Sequence, residues 1–210
     1  MSRYAKLTSG LVGAWFAISL TASALHLYRT GAGQPPLPLG LAAITPIIVF
    51  LVWFSRSPVF REFALSLNPR VLTLVQSWRI AGFVFLVLAS YGVLPRLFAL
   101  PAGWGDITIG ITAWFVALKL ATAEHRRSFL IWQSLGIADL VTAVTLGTLA
   151  STIDPRGVPT SPMTVLPLSL IPTFAVPLML ILHVICIAQA MRWPVQANQP
   201  GVQRRVSTTA

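Results

Sequence analysis

The chain has 210 residues, of which 55% are hydrophobic and only 10% charged, with a mean hydropathy of +0.77. Soluble domains carry roughly a quarter charged residues, so the expectation is an all-α integral membrane protein. The net charge of +10 does not point to nucleic acid, because the basic residues are spread in twos and threes between apolar segments, which is how topology signals are distributed. The single cysteine, Cys186, excludes a disulfide framework and a cysteine metal site.

Apolar runs that match the roughly 30 Å hydrocarbon core at 1.5 Å rise per residue recur along the chain. They predict a bundle of about six transmembrane helices near 9–28, 38–54, 70–94, 102–122, 128–150 and 165–191. These make one domain over 1–192, followed by a polar, unpatterned segment over 193–210 that reads as a disordered cytoplasmic tail. The first span resembles a signal peptide, with Arg3 and Lys6 before it and "TASAL" after it. Its apolar stretch, Leu11 to Tyr28, is longer than a usual signal core, so retention is expected.

Pro and Gly punctuate the spans in "GAGQPPLP", "LPRLFALPAG" and "DPRGVPTSP". Asn68 before Pro69 predicts an N-cap and a first-turn proline. The segment "SRSPVFREFALSLNP" sets Val59, Phe60, Phe63, Ala64 and Leu65 beside Arg56, Arg61 and Glu62, which suits either an interfacial amphipathic helix or an ordinary loop. Of fifteen basic residues, eleven fall on one side of these spans: Arg3, Lys6, Arg56, Arg61, Arg70, Lys119, Arg126, Arg127, Arg192, Arg204 and Arg205. Arg29, Arg96 and Arg156 fall on the other side, so both termini are expected in the cytoplasm.

The fifteenth, Arg79, lies inside the third span and needs a partner, since a central arginine costs roughly 2.5 to 3.5 kcal/mol to insert. Matched depth selects Asp139 and His183, with Gln76 and Gln133 nearby, as an inner cluster. Asp106 and His26 are expected nearer the opposite face as an outer pair, with Pro101 and Gly103 turning into a helix whose N-terminus would favour the Asp106 carboxylate. Haem is not expected, because His26 and His183 fall toward opposite faces and cannot ligate one iron. His125, in "AEHRRS", is a loop residue. No metal or other cofactor is expected.

"GWGDITIGIT" and "GIADLVTAVT" share Gly, Gly or Ala, Asp, and a later Gly or Ala, and would lie on antiparallel spans. Small residues at this spacing allow close helix approach, and an inverted pair of carboxylates is a pattern of repeat-built transporters. Pro167, Pro172 and Pro177 are expected to kink the last span, with Ser169 and Thr173 as local partners for the freed backbone.

The stretches "GVLPRLFALPAGWGDITIG", "LGIADLVTAVTLG" and "LIPTFAVPLMLILH" resemble a group of bacterial multi-pass membrane proteins of uncharacterised function, over roughly 76–191. That resemblance implies the bacterial inner membrane and no activity. Three functions remain open: a small transporter or channel-like protein handling a proton or small solute, a non-catalytic scaffold or complex subunit with structural ion pairs, and an intramembrane enzyme. No Ser-His, His-Glu-x-x-His or cysteine-based arrangement supports the third.

Overall fold

The computed structural model describes residues 3–29, 36–153 and 157–194, and among them the chain is all helical, with no strand. In order the helices are α1 (Arg3–Ala24), α2 (Leu37–Arg56), α3 (Pro58–Leu65), α4 (Pro69–Val75), α5 (Phe83–Ser90), α6 (Arg96–Phe115), α7 (Arg126–Ile153) and α8 (Val176–Met191). A 3-10 stretch, Gln76–Gly82, joins α4 to α5 into one rod, and π-helical turns at Val116–Leu120 and Ile171–Ala175 extend α6 and precede α8.

Five of these rods are long and apolar enough to cross a membrane: Arg3–Ala24, Leu37–Arg56, Pro69–Ser90, Ala123–Ala150 and Ile171–Met191. The span expected at 102–122 is the exception. Its helix, α6, has the length, but Pro101, Trp104, Asp106 and three glycines dilute its hydropathy. Side chains are distributed as a hydrocarbon solvent demands. Ile18, Leu41, Ile111 and Ile131 face outward, whereas Ser23, Thr73, Gln76, Arg79, Gln133, Ser169, Thr173 and His183 are buried.

Local chemistry sets most of the helix ends. Asn68 caps α4, its Oδ1 accepting from Arg70 N at 2.9 Å with Pro69 at the first turn. Ser57 caps α3 through Phe60 N at 3.2 Å, again followed by a proline, so the segment between α2 and α4 is a helix, not a loop. The buried face of α3 carries Phe60 and Ala64, and Phe60 stacks on Trp53 at 3.8 Å. Tyr4 of α1 stacks on Phe63 at 6.0 Å.

Helix α6 starts at Arg96, with Pro95 at its N-cap. The turn expected at Pro101 and Gly103 is therefore helix interior, and Asp106 is no N-terminal residue. Proline before the first turn ends the preceding loop more decisively than one inside a helix that its neighbours can hold.

The three prolines expected to kink the last span occupy three different settings. Pro167 lies before the last rod, in a turn reached by a cis peptide bond from Leu166, and Pro172 opens the π-helical turn. Pro177 sits in the first turn of α8, where it cannot donate to the carbonyl of Thr173. That carbonyl is met from α1 instead, by Trp15 Nε1 at 3.0 Å and Ser19 Oγ at 3.4 Å. Ser169 Oγ donates to Ser23 Oγ at 2.9 Å, and Thr173 Oγ1 donates to Ser169 O at 2.7 Å. Helix α1 is thus tied to the bundle by polar contacts to the irregular backbone ahead of α8.

The basic residues collect by topology. The end of α2, all of α3, the start of α4, the π turn after α6, the start of α7 and the end of α8 share one end of the bundle, bringing together Arg56, Arg61, Arg70, Lys119, Arg126, Arg127 and Arg192. Arg126 Nε donates to Ala190 O there at 2.8 Å. Arg156, Arg204 and Arg205 lie outside the described residues, as does the expected tail from residue 195 onward.

Candidate functional site

Arg79 is the centre of the polar interior, and the winding of its own backbone aims it. In a 3-10 segment residues three apart eclipse one another. Gln76, Arg79 and Gly82 are consequently on one face, and all three are buried. An α-helix would have rotated Gly82 well away from Gln76. The face is pressed against α6, where a β-carbon on Gly110 would strike the backbone of Ile80.

The guanidinium has four partners from three other helices. Nε donates to Asp106 Oδ1 of α6 at 2.7 Å. The NH2 group donates to Asp139 Oδ2 of α7, the NH1 group donates to Gly136 O at 3.3 Å, and NH1 also faces His183 Nε2 of α8 at 3.4 Å. The Arg79 side chain is 4% exposed, against 16% for Asp106 and 17% for Asp139. A fork of donors suits two carboxylates approaching from two directions, which a lysine could not match.

The hydrogen-bond inventory then fixes the histidine. Arg79 has donors only, so His183 Nε2 must accept, and the imidazole is the neutral Nδ1–H tautomer. Nδ1 therefore donates to Gln133 Oε1, 2.5 Å away. This turns the Gln133 amide so that Nε2 reaches Thr73 Oγ1 at 3.2 Å. Thr73 Oγ1 is 3.9 Å from Cys186 Sγ. The polar chain runs from Arg79 through His183 and Gln133 to Thr73, all of them buried.

Glycines make room for these side chains. A β-carbon on Gly105 would collide with the Asp139 carboxylate, one on Gly136 with the His183 ring, and one on Gly82 with Asp106. The two copies of the repeated motif therefore meet as antiparallel helices, with an aspartate of each on one arginine.

The structure brings together Arg79, Asp139, His183 and Gln133. Gln76 stands beside them but donates to Met179 O at 3.1 Å, and its Oε1 has no partner. The expected outer pair is not formed. Asp106 is ten residues into α6 because that helix starts at Arg96, which puts it at the level of Arg79. His26 is exposed and ends α1, with φ of 58° and the bonds His26 N to Ser23 O and Leu27 N to Ala22 O, both 3.0 Å. Those are the bonds of a left-handed C-terminal cap, a position usually taken by glycine. Thr73 and the Gly136 carbonyl were not anticipated. The signal for Thr73 was spacing: Thr73, Gln76, Arg79 and Gly82 recur every third residue.

Among the described residues no group of three or more His, Cys, Asp or Glu is arranged to hold a metal ion. What the site offers chemically is one fixed positive charge, two carboxylates and a neutral hydrogen-bond chain. No curated protein and no solved structure is significantly similar to the chain. The sequence model of a family described as a domain of unknown function, DUF8737, matches residues 35–191, from just before α2 to the end of α8 with the whole cluster, and the chain belongs to that family.

Proposed function

We propose that the chain is a six-span protein of the bacterial inner membrane, with both termini cytoplasmic, and that its Arg79 cluster takes up and releases a proton as part of a small transporter or channel-like protein. One observation carries this reading: two carboxylates share one guanidinium while the neighbouring histidine is held neutral. With both carboxylates ionised the cluster bears one net negative charge, which is costly in a medium of low dielectric, and one proton on either carboxylate removes it. Each carboxylate keeps a sixth or so of its surface open. The sixth span would be α6, whose twenty residues cover about 30 Å and whose one internal charge, Asp106, is paired with Arg79. The cytoplasmic side would be the basic end, and the inner-membrane assignment follows the resemblance to bacterial multi-pass proteins.

A second reading, a scaffold in which the cluster locks helix register, is favoured by the glycine contacts that leave little room around Asp106, Asp139 and His183. Buried polar groups can serve packing specificity alone. Purified protein in liposomes with an internal pH dye separates the two. Proton flux in the parent that is lost in Asp139→Asn at equal folded amounts supports transport. Flux no greater than that of empty liposomes supports the scaffold.

A further inference from the structure

A second polar site lies at the basic end, roughly 10 Å or more from the cluster along α8. A cleft of about 260 Å³ opens there between α3, the start of α4 and the end of α8, lined in part by Glu62, Leu65, Leu67, Gln189, Arg192 and Trp193. Gln189 is 5% exposed. Its Nε2 is committed to Leu65 O at 3.2 Å and Leu67 O at 2.6 Å, which fixes the amide so that Oε1 is its free end. That Oε1 is buried and has no hydrogen-bond partner. At the mouth, Arg192 pairs with Glu62 at 3.0 Å, both side chains more than half exposed.

We propose that this cleft binds the headgroup of a phospholipid carrying a primary ammonium, of the phosphatidylethanolamine type. The chemistry of the walls selects each part of that ligand. Gln189 Oε1 is an acceptor without a donor, the Glu62 carboxylate becomes a second one when its exposed pair with Arg192 opens, and an ammonium has three N–H groups to give. Arg192 and the basic end around it attract the phosphate. Leu65, Leu67 and Trp193 offer an apolar edge to the glycerol and upper acyl chain, with the tryptophan at the level where such rings gather. The exposed Glu62 and Arg192 pair contributes little in itself, so it opens to admit the zwitterion. The inference rests on the basic end facing a leaflet surface, and not on proton transfer at Arg79.

The test is lipid retention by the purified full-length chain in mild detergent, counted by native mass spectrometry. Phosphatidylethanolamine, phosphatidylcholine, phosphatidylglycerol and free phosphoethanolamine are compared. Choline has no N–H, so phosphatidylethanolamine should be held about tenfold more tightly than phosphatidylcholine, the worth of about one hydrogen bond. Glu62→Gln, a change on an exposed side chain that leaves folding intact, should cut that preference severalfold, and Gln189→Leu should remove it. Equal retention of the ethanolamine and choline lipids, the result if water alone satisfies Gln189, overturns the proposal. So does an unchanged preference in Glu62→Gln, or phosphatidylglycerol held as tightly as phosphatidylethanolamine. Free phosphoethanolamine competing as well as the lipid would overturn the lipid assignment.

Discussion

Asp106 and Asp139 lie on antiparallel helices, at matching positions of one repeated motif, and bond the same guanidinium: Asp106 Oδ1 receives Arg79 Nε at 2.7 Å, while Asp139 Oδ2 receives the NH2 group. Neither carboxylate is therefore the sole counter-ion. Loss of either leaves a pair, and loss of the arginine leaves two like charges facing each other.

That asymmetry orders the neutralising substitutions. Arg79→Gln should be the most damaging single change, by about 3 to 5 kcal/mol, because it strands buried charge. Asp106→Asn and Asp139→Asn should each cost less. Arg79→Gln combined with both asparagine changes should recover much of the loss. The measurement is thermal or denaturant unfolding in one detergent, and a triple variant no more stable than Arg79→Gln alone would remove the charge argument.

The glycine contacts make a second test independent of charge. Gly136→Ala puts a methyl group into the His183 ring, and Gly105→Ala puts one into the Asp139 carboxylate. Overpacking of this kind costs about 1 to 3 kcal/mol. Gly10→Ala and Gly13→Ala, where nothing lies within 4 Å, serve as controls and should be neutral or slightly stabilising. Equal effects at all four positions would mean that α6, α7 and α8 do not approach this closely.

The carbonyl of Thr173 offers a double-mutant cycle. Trp15→Phe combined with Ser19→Ala removes both of its donors, at a cost of about 1 to 3 kcal/mol for a buried acceptor left unmet. Pro177→Ala restores an N–H within the helix. On that background the Trp15 and Ser19 changes should cost clearly less, and strict additivity would show that Pro177 is not what frees the carbonyl.

The tautomer of His183 is open to nitrogen spectroscopy. The ring should show a protonated Nδ1 and an unprotonated Nε2, since Arg79 can only donate to it. In Arg79→Gln protein that still folds, this preference should relax. A protonated Nε2 in the parent would dismantle the chain from Arg79 to Thr73.

Orientation can be read with a reporter active only in the periplasm, fused after Arg205. It should stay silent if the basic end is cytoplasmic. Strong activity would reverse the bundle and place the proposed lipid cleft in the opposite leaflet.

Helices long and apolar enough to cross a membrane, a helix opened at Asn68, and the need of Arg79 for an acidic partner such as Asp139 are all legible in the chain alone. Those properties follow from hydropathy, capping chemistry and the cost of burying charge, all of them local or summed along the chain. That Asp106 joins the cluster and His26 does not is visible only once the helices are packed. The depth of a residue depends on where its helix begins, and α6 begins after Pro95 and carries Pro101 inside it. The 3-10 winding that stacks Gln76, Arg79 and Gly82 has the same origin. It is unfavourable for an isolated rod, and it forms where α6 presses against that face, because glycines at 82, 105, 110 and 136 let the helices approach closely enough for one guanidinium to reach both carboxylates.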